Sequence, residues 1–353
     1  MRTLLLERHA EETAMALMLD RQLMDYRVVR EEGVNAEAVY LGRVRQNVRG
    51  MGAAFVSLPD GQVGFLPESE ARQPLRPGDF VLVQVKKPPV GTKAAYLTQD
   101  ISLAGKGLIL LPLSGQTGVS SRVEEEAQRE TLRAMAERLR PEHMGLVMRR
   151  QSLGADEDAL RAELDLLLAR WDTLRQAAEH AVQPRLLWPG RTALEQAMED
   201  FGSVDRLVMN MDIPGAPPHE LSPSPFADCA VMEQRERLLK RQVWLPSGGF
   251  LVVDPTEALT VIDVNTGKSV GKGRDKEQLF RETNLEAADM IARLLRVRGV
   301  GGIVIVDLID MAGESDRQAV LDRFRTLLRD DPVKCVVHGY TSLGLLELTR
   351  KKR

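Results

Sequence analysis

Two short apolar segments near the end of the sequence carry the residues best suited to chemistry. They read Leu259-Thr260-Val261-Ile262-Asp263-Val264-Asn265 and Gly302-Ile303-Val304-Ile305-Val306-Asp307. Burying an aspartate within or at the end of an apolar strand costs free energy unless a cation or several hydrogen-bond donors compensate its charge. Carboxylate and amide oxygens suit Mg²⁺ or Mn²⁺ rather than zinc. The two segments therefore predict metal-assisted chemistry on a phosphate.

The predicted catalytic residues are Asp263, Asn265 and Asp307, with the two aspartates as metal ligands. Side chains at i and i+2 of a strand emerge on the same face, so Asp263 and Asn265 can contact one ion. Asp307 ends an apolar run, as a central parallel strand does, and α/β sheets bind their ligands at such strand ends. A Mg²⁺ with few protein ligands retains water and lowers the pKa of that water for attack on phosphorus. The alternative is that Asp263 caps a turn and Asp307 caps a helix.

Length and composition restrict the class of protein. The 353 residues predict two or three domains, and 48 Lys and Arg against 51 Asp and Glu give a net charge of −3, so any nucleic-acid surface must be local. Cys229 and Cys335 stand alone, which predicts no disulfide and fits the reducing cytoplasm. The sequence shows no signal peptide and no run near the roughly 18 apolar residues of a membrane span, so we expect a soluble protein without a membrane partner.

The predicted elements form an α/β protein of several domains. An N-terminal strand and a helical stretch rich in Glu and Met precede residues 37–99, where short alternating runs separated by glycine turns predict four or five strands. Such strands form a small barrel, most often an OB-fold. Helices are predicted at 123–139 and 157–182, and between them a strand at 143–150 that ends in two arginines.

The remainder of the chain predicts mixed structure followed by a catalytic α/β domain. Residues 185–240 alternate strand and helix around a proline-rich connection. From Arg241 onward the order is strand, strand, long helix, strand, helix, strand, which is typical of an α/β domain.

Three further groups of residues are candidates for binding RNA or phosphate. Phe55 and Phe65 in the barrel could stack on bases, although aromatic residues of small barrels often belong to the core. Arg149 and Arg150, near Gly118-Val119, could bind a terminal phosphate through paired hydrogen bonds, or form salt bridges with the acidic run 124–126. A basic flank that starts at Lys268 could neutralise phosphates, or be a solvated loop.

Four sequence blocks resemble one family. In order they are Leu245-Pro246-Ser247-Gly248-Gly249, residues 257–265, Thr283-Asn284-Leu285-Glu286-Ala287-Ala288 and residues 301–311. They resemble the ribonuclease E/G family, and the similarity extends through the barrel to nearly the whole chain. The final segment, 339–351, is more similar to the ribonuclease G branch.

The resemblance implies a Mg²⁺-dependent endoribonuclease. Members of the family cut single-stranded, A/U-rich RNA to leave 5′-phosphate and 3′-hydroxyl ends, and act in ribosomal RNA maturation and messenger RNA decay. Matched position by position, the metal-binding aspartates are Asp263 and Asp307, with Mn²⁺ as a possible substitute, and Asn265 lies beside the scissile phosphate. The family's aromatic positions in the barrel match Phe55 and Phe65. Lys93 and Lys268 are predicted as further RNA-binding residues, and Arg149, Arg150, Gly118 and Val119 as residues of a 5′-phosphate sensor.

The family also implies a domain division. Residues 1–35 and 183–240 would form an RNase H-like subdomain without a working active site, into which two modules are inserted. These are the OB-fold RNA-binding domain at 36–99 and the 5′-sensor region at 100–182. A DNase I-like catalytic subdomain would follow at 241–353.

Departures from the family pattern leave two properties open. Arg150 stands where the family has threonine after the sensor arginine, which puts the geometry of 5′-phosphate recognition in question. The sequence ends before the family's Cys-Pro-x-Cys segment, which shares a zinc ion between protomers, so we expect no zinc in this chain and homodimerisation stays open.

Two other functions compete with the nuclease. The first is an RNA-binding or ribosome-assembly factor with little turnover, which the intact Asp263, Asn265 and Asp307 argue against, because simple binding does not need them. The second is a nucleotide-binding enzyme, suggested by Gly267-Lys268-Ser269. It fails as a P-loop because Ile262 occupies the position of the required first glycine.

Overall fold

The structure is a computed structural model that describes residues 1–10, 12–30, 33–89, 91–121, 123–180, 182–213, 215–267 and 276–352. The chain divides into two compact units, one of Met1–Arg30 with Gln196–Arg353 and one of Glu31–Glu195. Both units mix helices and strands, which confirms the predicted α/β class. None of the helices in the described ranges is long and apolar enough to cross a membrane.

The strands, in chain order, are β1 (Arg2–His9), β2 (Glu12–Leu19), β3 (Gln22–Arg30), β4 (Val39–Val48), β5 (Ala53–Ser57), β6 (Val63–Pro67), β7 (Phe80–Lys87), β8 (Ala95–Thr98), β9 (Leu103–Ala104), β10 (Leu108–Leu111), β11 (Gly118–Val119), β12 (Gly145–Met148), β13 (Arg185–Trp188), β14 (Arg206–Met209), β15 (Glu220–Leu221), β16 (Gln242–Trp244), β17 (Phe250–Pro255), β18 (Leu259–Asn265), β19 (Gly302–Asp307), β20 (Cys335–Tyr340) and β21 (Leu346–Arg350). The helices are α1 (Glu126–Leu139), α2 (Glu157–Glu179), α3 (Ala193–Phe201), α4 (Pro225–Asp228), α5 (Val231–Leu239), α6 (Lys276–Val297) and α7 (Glu314–Arg329).

The N-terminal sheet has the order β15-β14-β1-β2-β3 and corrects one prediction. The stretch after β1, predicted as a helix, forms the antiparallel strands β2 and β3. Asp20 and Arg21 both have positive φ, 46° and 69°, which is the backbone of a two-residue hairpin turn. Six consecutive residues of β2 are buried. Its run of Ala, Met and Leu is therefore a strand buried on both faces, which periodicity alone does not separate from a helix.

The barrel predicted for residues 37–99 is confirmed as an OB-like barrel. Five strands close on themselves in the order β4-β5-β6-β8-β7, with β7 pairing back to β4. The interior is filled by apolar side chains such as Val44, Val56, Leu66, Val83 and Leu97. Strand β13 extends the sheet beside β4.

A second small core follows the barrel within the same unit. A four-stranded sheet of order β11-β12-β10-β9 packs with α1 and α2, which form within the stretches predicted to be helical. Its core includes Leu110, Leu146, Met148, Leu164 and Trp171. The strand predicted at 143–150 is β12, which is shorter than predicted and ends at Met148, so Arg149 directly follows a strand end.

The C-terminal part of the other unit is a six-stranded sheet of order β16-β17-β18-β19-β21-β20. Ile262, Val264, Val304 and Val306 share one apolar core with residues of α6 and α7. Side chains of the opposite parity are exposed or half-buried. We call this side of the sheet the open face, defined by Trp244, Phe250, Asp263, Asn265 and Asp307.

This sheet contains more strands than the sequence predicted. Three strands precede α6 and two follow α7, one more in each place than expected. The additional strand β16 has only three residues, which are too few for a periodic hydrophobic pattern. Strands β20 and β21 are joined by a short hairpin, and the sequence pattern predicts a single strand there. The subdomain boundaries and the RNase H-like and DNase I-like assignments stay predictions.

Candidate active site

The two predicted metal ligands lie opposite each other on neighbouring strands. Strands β18 and β19 are parallel, and Asp263 is the register partner of Asp307. Partners on adjacent strands are about 4.8 Å apart and point to the same face of the sheet. Both aspartates are exposed, whereas Ile262 and Val306, which precede them, are buried. The carboxylates therefore share one patch of the open face.

Asn265 completes the predicted set and fixes the orientation of its neighbour. Its Nδ2 donates a hydrogen bond of 2.8 Å to Oδ2 of Asp263. The structure thus brings Asp263, Asn265 and Asp307 together at one end of two parallel strands.

The capping alternatives do not describe these aspartates. Asp263 lies inside β18, two residues before its end. Helix α7 begins at Glu314 after Gly313, so neither Asp307 nor Asp310 occupies its N-cap position. Asp263 therefore does not cap a turn, and Asp307 does not cap helix α7.

A buried asparagine, Asn284 of α6, holds the loop that follows Asp307. Asn284 is fully buried, and its Nδ2 donates to the carbonyl oxygen of Ile309 at 2.8 Å while its Oδ1 accepts from the Ile309 N–H at 3.0 Å. Both backbone groups of Ile309 are satisfied by one side chain, which anchors this loop to the helix. The sequence predicts no role for Asn284 beyond its place in a block that resembles the family. The one feature of the sequence that could have indicated this role is a polar amide residue at a position where the helical pattern predicts a buried apolar one.

Glycines allow the β16–β17 hairpin to approach the end of β18. A Cβ at Gly249 would lie 2.7 Å from the carbonyl oxygen of Asn265, and one at Gly267, where φ is +62°, would lie 2.3 Å from the oxygen of Gly248. Larger residues would collide with backbone atoms at both positions. The hairpin is therefore packed directly against the strand that carries Asp263 and Asn265.

The donor set fits a hard divalent cation. Two carboxylates and one amide are the oxygen ligands that Mg²⁺ accepts. Within the described part of the chain, no group of three or more His, Cys, Asp or Glu side chains is arranged to hold a metal ion. An ion bound by Asp263 and Asp307 would therefore complete its coordination with water and substrate oxygens, as Mg²⁺ commonly does.

The two barrel phenylalanines belong to a row of three aromatic rings. Phe55 pairs in register with Phe65, and Phe65 with Tyr96. Ring centroids are 5.9 Å apart in the first pair and 6.2 Å in the second. All three are half-buried, whereas Val56 and Leu66 fill the barrel core. Phe55 and Phe65 are therefore not among the buried residues of the barrel core, and their role in stacking stays a prediction.

Tyr96 was not among the predicted site residues. Side chains alternate between the two faces of β8, so with Leu97 in the barrel core, Tyr96 points out of the barrel. A lysine accompanies it: Nζ of Lys87 is 5.6 Å from the Tyr96 ring centroid. Lys93 is exposed shortly before β8. Lys268, the other predicted RNA-binding lysine, lies outside the described residues.

Two of the predicted sensor residues, Arg149 and Arg150, line a small cavity. It has a volume of about 280 Å³ and is lined by Ile109, Ser120, Ser121, Val147, Arg149, Arg150 and Gln151. Gly118 and Val119 form β11, which pairs with β12, and their neighbour Ser120 reaches the cavity wall. Two arginines and two serines in one concave site offer hydrogen-bond donors for an anion.

The two sensor arginines differ in their surroundings. Arg149 is 9 % exposed, and one of its terminal nitrogens donates to the carbonyl oxygen of Gly105 at 2.8 Å, whereas Arg150 is exposed. In the acidic run, Glu126 forms its ion pairs with Arg129 and Arg133 of α1.

Arg129 is a residue that sequence reasoning missed. It donates to the carbonyl oxygens of Ser120 at 3.1 Å and Val123 at 2.9 Å, and so holds the loop that carries the cavity serines. Within a highly charged helix, no feature of its position distinguished it.

OB-folds are a class of barrels that commonly bind oligonucleotides, and paired acids on a sheet face can hold a divalent ion that acts on phosphate. The family model described as "Ribonuclease E/G family" matches residues 102–214 and 218–353. The chain belongs to the ribonuclease E/G family.

Three relatives illustrate the similarity. Ribonuclease E of Nostoc sp. (strain PCC 7120) is 34% identical over 351 residues, covering 89% of this chain and 51% of that protein. Ribonuclease G of Escherichia coli (strain K12) is 33% identical over 354 residues, covering 89% of this chain and 72% of the relative. Ribonuclease E of the same strain is 32% identical, with 97% of this chain matched to 36% of its length. These identities do not separate the E branch from the predicted G branch, and the chain spans about half the length of the Nostoc protein.

Proposed function

We propose that this protein is a Mg²⁺-dependent endoribonuclease that hydrolyses single-stranded, A/U-rich RNA to 5′-phosphate and 3′-hydroxyl ends. The observation that carries the proposal is the register pairing of Asp263 with Asp307, beside Asn265, on an exposed sheet face. Exposed acids in this arrangement repel RNA unless a cation lies between them and the phosphate. Binding alone gives no reason to place them there.

The residues of the site would have different roles in hydrolysis. Asp263 and Asp307 would hold the ion, which when bound lowers the pKa of a water molecule and stabilises charge on the phosphate oxygens. Asn265 orients the Asp263 carboxylate and presents its amide group beside the scissile phosphate. Asn284 acts at a distance by fixing the loop after Asp307. The open face accepts an extended strand of RNA without a deep cleft.

The substrates that we propose are ribosomal RNA precursors and messenger RNA in the cytoplasm. The row of Phe55, Phe65 and Tyr96 supports binding of unpaired RNA, because stacking on aromatic rings requires unpaired nucleotides, and the choice of these two RNA classes follows the family resemblance. Lys93 would add attraction to the phosphate backbone.

The test is cleavage of a 5′-labelled, unstructured, A/U-rich RNA with Mg²⁺ and with EDTA. We expect internal cleavage only with Mg²⁺, and products whose new 5′ ends carry phosphate. Equal cleavage in EDTA, or products with 3′-phosphate ends, would contradict the metal-dependent mechanism. Tight binding without turnover would instead favour the RNA-binding or ribosome-assembly alternative.

Removing the third ring of the aromatic row should weaken RNA binding. In Tyr96→Ala we expect the dissociation constant for a short single-stranded RNA to rise about tenfold, since one stacked base contributes about 1–3 kcal/mol. Tyr96→Phe keeps the ring and should bind like the wild type. Fluorescence anisotropy measures both variants, and unchanged affinity in Tyr96→Ala would remove this residue from the RNA surface.

The cavity at Arg149 and Arg150 should give a preference for RNA with a 5′-monophosphate. A charge-assisted hydrogen bond contributes about 1.5–3 kcal/mol, so we expect Arg149→Ala or Arg150→Ala to reduce this preference about tenfold. Cleavage of the same RNA with a 5′-hydroxyl is the internal control for folding and should be unchanged. If the wild type cleaves both RNAs at equal rates, the cavity is not a 5′-phosphate sensor.

A further inference from the structure

An aromatic pair lies on the edge of the sheet that carries the candidate active site. Trp244, in the edge strand β16, is 62 % exposed. Its ring lies against that of Phe250 in β17, with centroids 5.3 Å apart and an interplanar angle of 59°. The adjacent residues Val243 and Leu251 are buried in the core, so the two rings lie on the open face. Exposed aromatic side chains of this kind are enriched at binding interfaces, and these two lie together beside a candidate active site.

The pair lies in line with the candidate active site. Trp244 is the register partner of Phe250, and Phe250 is the register partner of Asn265. Two strand spacings of about 4.8 Å place the Trp244 backbone about 10 Å from that of Asn265. The β16–β17 hairpin also packs through Gly249 against the Asn265 carbonyl group, so the rings are fixed relative to the active strand.

We propose that Trp244 and Phe250 form a stacking platform for one unpaired base of the RNA, next to the phosphate that is cut. This inference rests on the proposed endoribonuclease function and adds a binding residue to it. The platform would hold the nucleotide chain beside Asp263 and Asp307 and thereby set where the chain is cut. It is separate from the aromatic row of the barrel, which belongs to the other compact unit.

Charge and position favour a base over other occupants. The aspartates disfavour any anion on this face without a cation, whereas stacking of a base on neutral rings requires no charge. A protein segment covering Trp244 would lie within about two strand spacings of Asn265 and would compete with the substrate. An RNA chain whose base stacks on the platform would instead pass over Asp263 and Asp307 as substrate.

The test combines a protein variant with an RNA variant. A series of oligonucleotides carries a single abasic ribose at each position around the cleavage site, and kcat/KM is measured for each. In the wild type we expect one position near the cut at which loss of the base lowers kcat/KM about tenfold. Trp244→Ala should cause a similar loss on intact RNA, and the abasic ribose should then cause no further loss. Trp244→Phe should restore most of the activity.

Two controls separate this proposal from the proposed function. Val336→Ala removes another exposed apolar side chain of the same sheet, on the opposite edge strand, and should leave kcat/KM unchanged. Asp263→Asn should eliminate cleavage of every oligonucleotide. RNA binding gives a second readout that needs no turnover: quenching of tryptophan fluorescence by intact RNA should be reduced in Trp244→Phe and by the critical abasic substitution.

Three results would overturn the platform while leaving the nuclease intact. One is wild-type kcat/KM in Trp244→Ala. Another is an abasic penalty that is the same in the wild type and in Trp244→Ala, since the two losses would then be independent. The third is a loss of activity in Trp244→Ala that accompanies a change of molecular mass in solution, which would assign the rings to a protein interface. If the wild type binds RNA but cuts none, the fluorescence readout alone decides on the platform.

Discussion

Replacing either Asp263 or Asp307 by asparagine is expected to lower Mg²⁺-dependent RNA cleavage by about a thousandfold or more, because the pair would lose the charge that holds the ion and activates water. The substitution preserves size and leaves the strands β18 and β19 intact. Affinity for RNA should be unchanged or higher, since a negative charge is removed from the RNA-facing surface.

Single-turnover cleavage and binding assays measure the two effects separately. The matched control is Asp254→Asn on the neighbouring strand β17, where the carboxylate forms a salt bridge with Arg241. We expect this variant to cleave like the wild type, because it removes an acid from the same sheet but not from the site. Wild-type cleavage by Asp263→Asn or Asp307→Asn would refute the metal assignment.

Replacing Arg350 by methionine is expected to lower the free energy of unfolding by about 3–5 kcal/mol. The side chains of Arg350 and Asp331 are fully buried and form a bidentate pair, with N···O distances of 2.8 and 3.1 Å. Arg350 also donates to the carbonyl oxygen of Val300 at 2.7 Å. Methionine would leave the Asp331 carboxylate buried without its counter-charge, which costs more than the pair itself contributes.

Urea denaturation of the purified variants measures this effect. Replacing both partners, Arg350→Met with Asp331→Leu, should recover part of the lost stability because no uncompensated charge remains. Arg206→Met provides the exposed counterpart, since Arg206 pairs with Glu220 in solvent, and its denaturation midpoint should not change measurably. A midpoint in Arg350→Met equal to that of the wild type would show that the buried pair does not stabilise the sheet.

Local rules were enough to select the residues of the candidate active site from the sequence. The spacing of Asp263 and Asn265 places both on one face of a strand, and the apolar run before Asp307 indicates a buried strand. Cross-strand register is a tertiary property, so the direct pairing of Asp263 with Asp307 appears only in the structure. The same limit applies to Trp244, which reaches the site through two strand pairings.

The misassigned segment after β1 shows where local pattern fails. Its Ala, Met and Leu residues favour helices, but β2 is buried on both faces between β1 and β3 and so carries no alternation. The turn at Asp20-Arg21 has positive φ at both residues but contains no glycine, so the local sequence does not indicate a hairpin. In the barrel, by contrast, alternation and glycine turns agree with each other, and that prediction is confirmed.

The sensor region lies between these cases. The sequence placed Arg149 at a strand end, where it lies, and associated it with Gly118-Val119. The cavity, the burial of Arg149 and the loop contacts of Arg129 depend on how α1 packs against β12, which no local pattern encodes.

The position of a bound metal ion tests whether Asp263 and Asp307 are its ligands. Crystals of the protein grown with Mn²⁺, which gives an anomalous signal, should contain an ion within coordination distance of the carboxylates of both Asp263 and Asp307, directly or through its waters. The site should be lost in Asp263→Asn. Cleavage supported by Mn²⁺ with no ion at this pair, or with the ion bound elsewhere, would contradict the central claim.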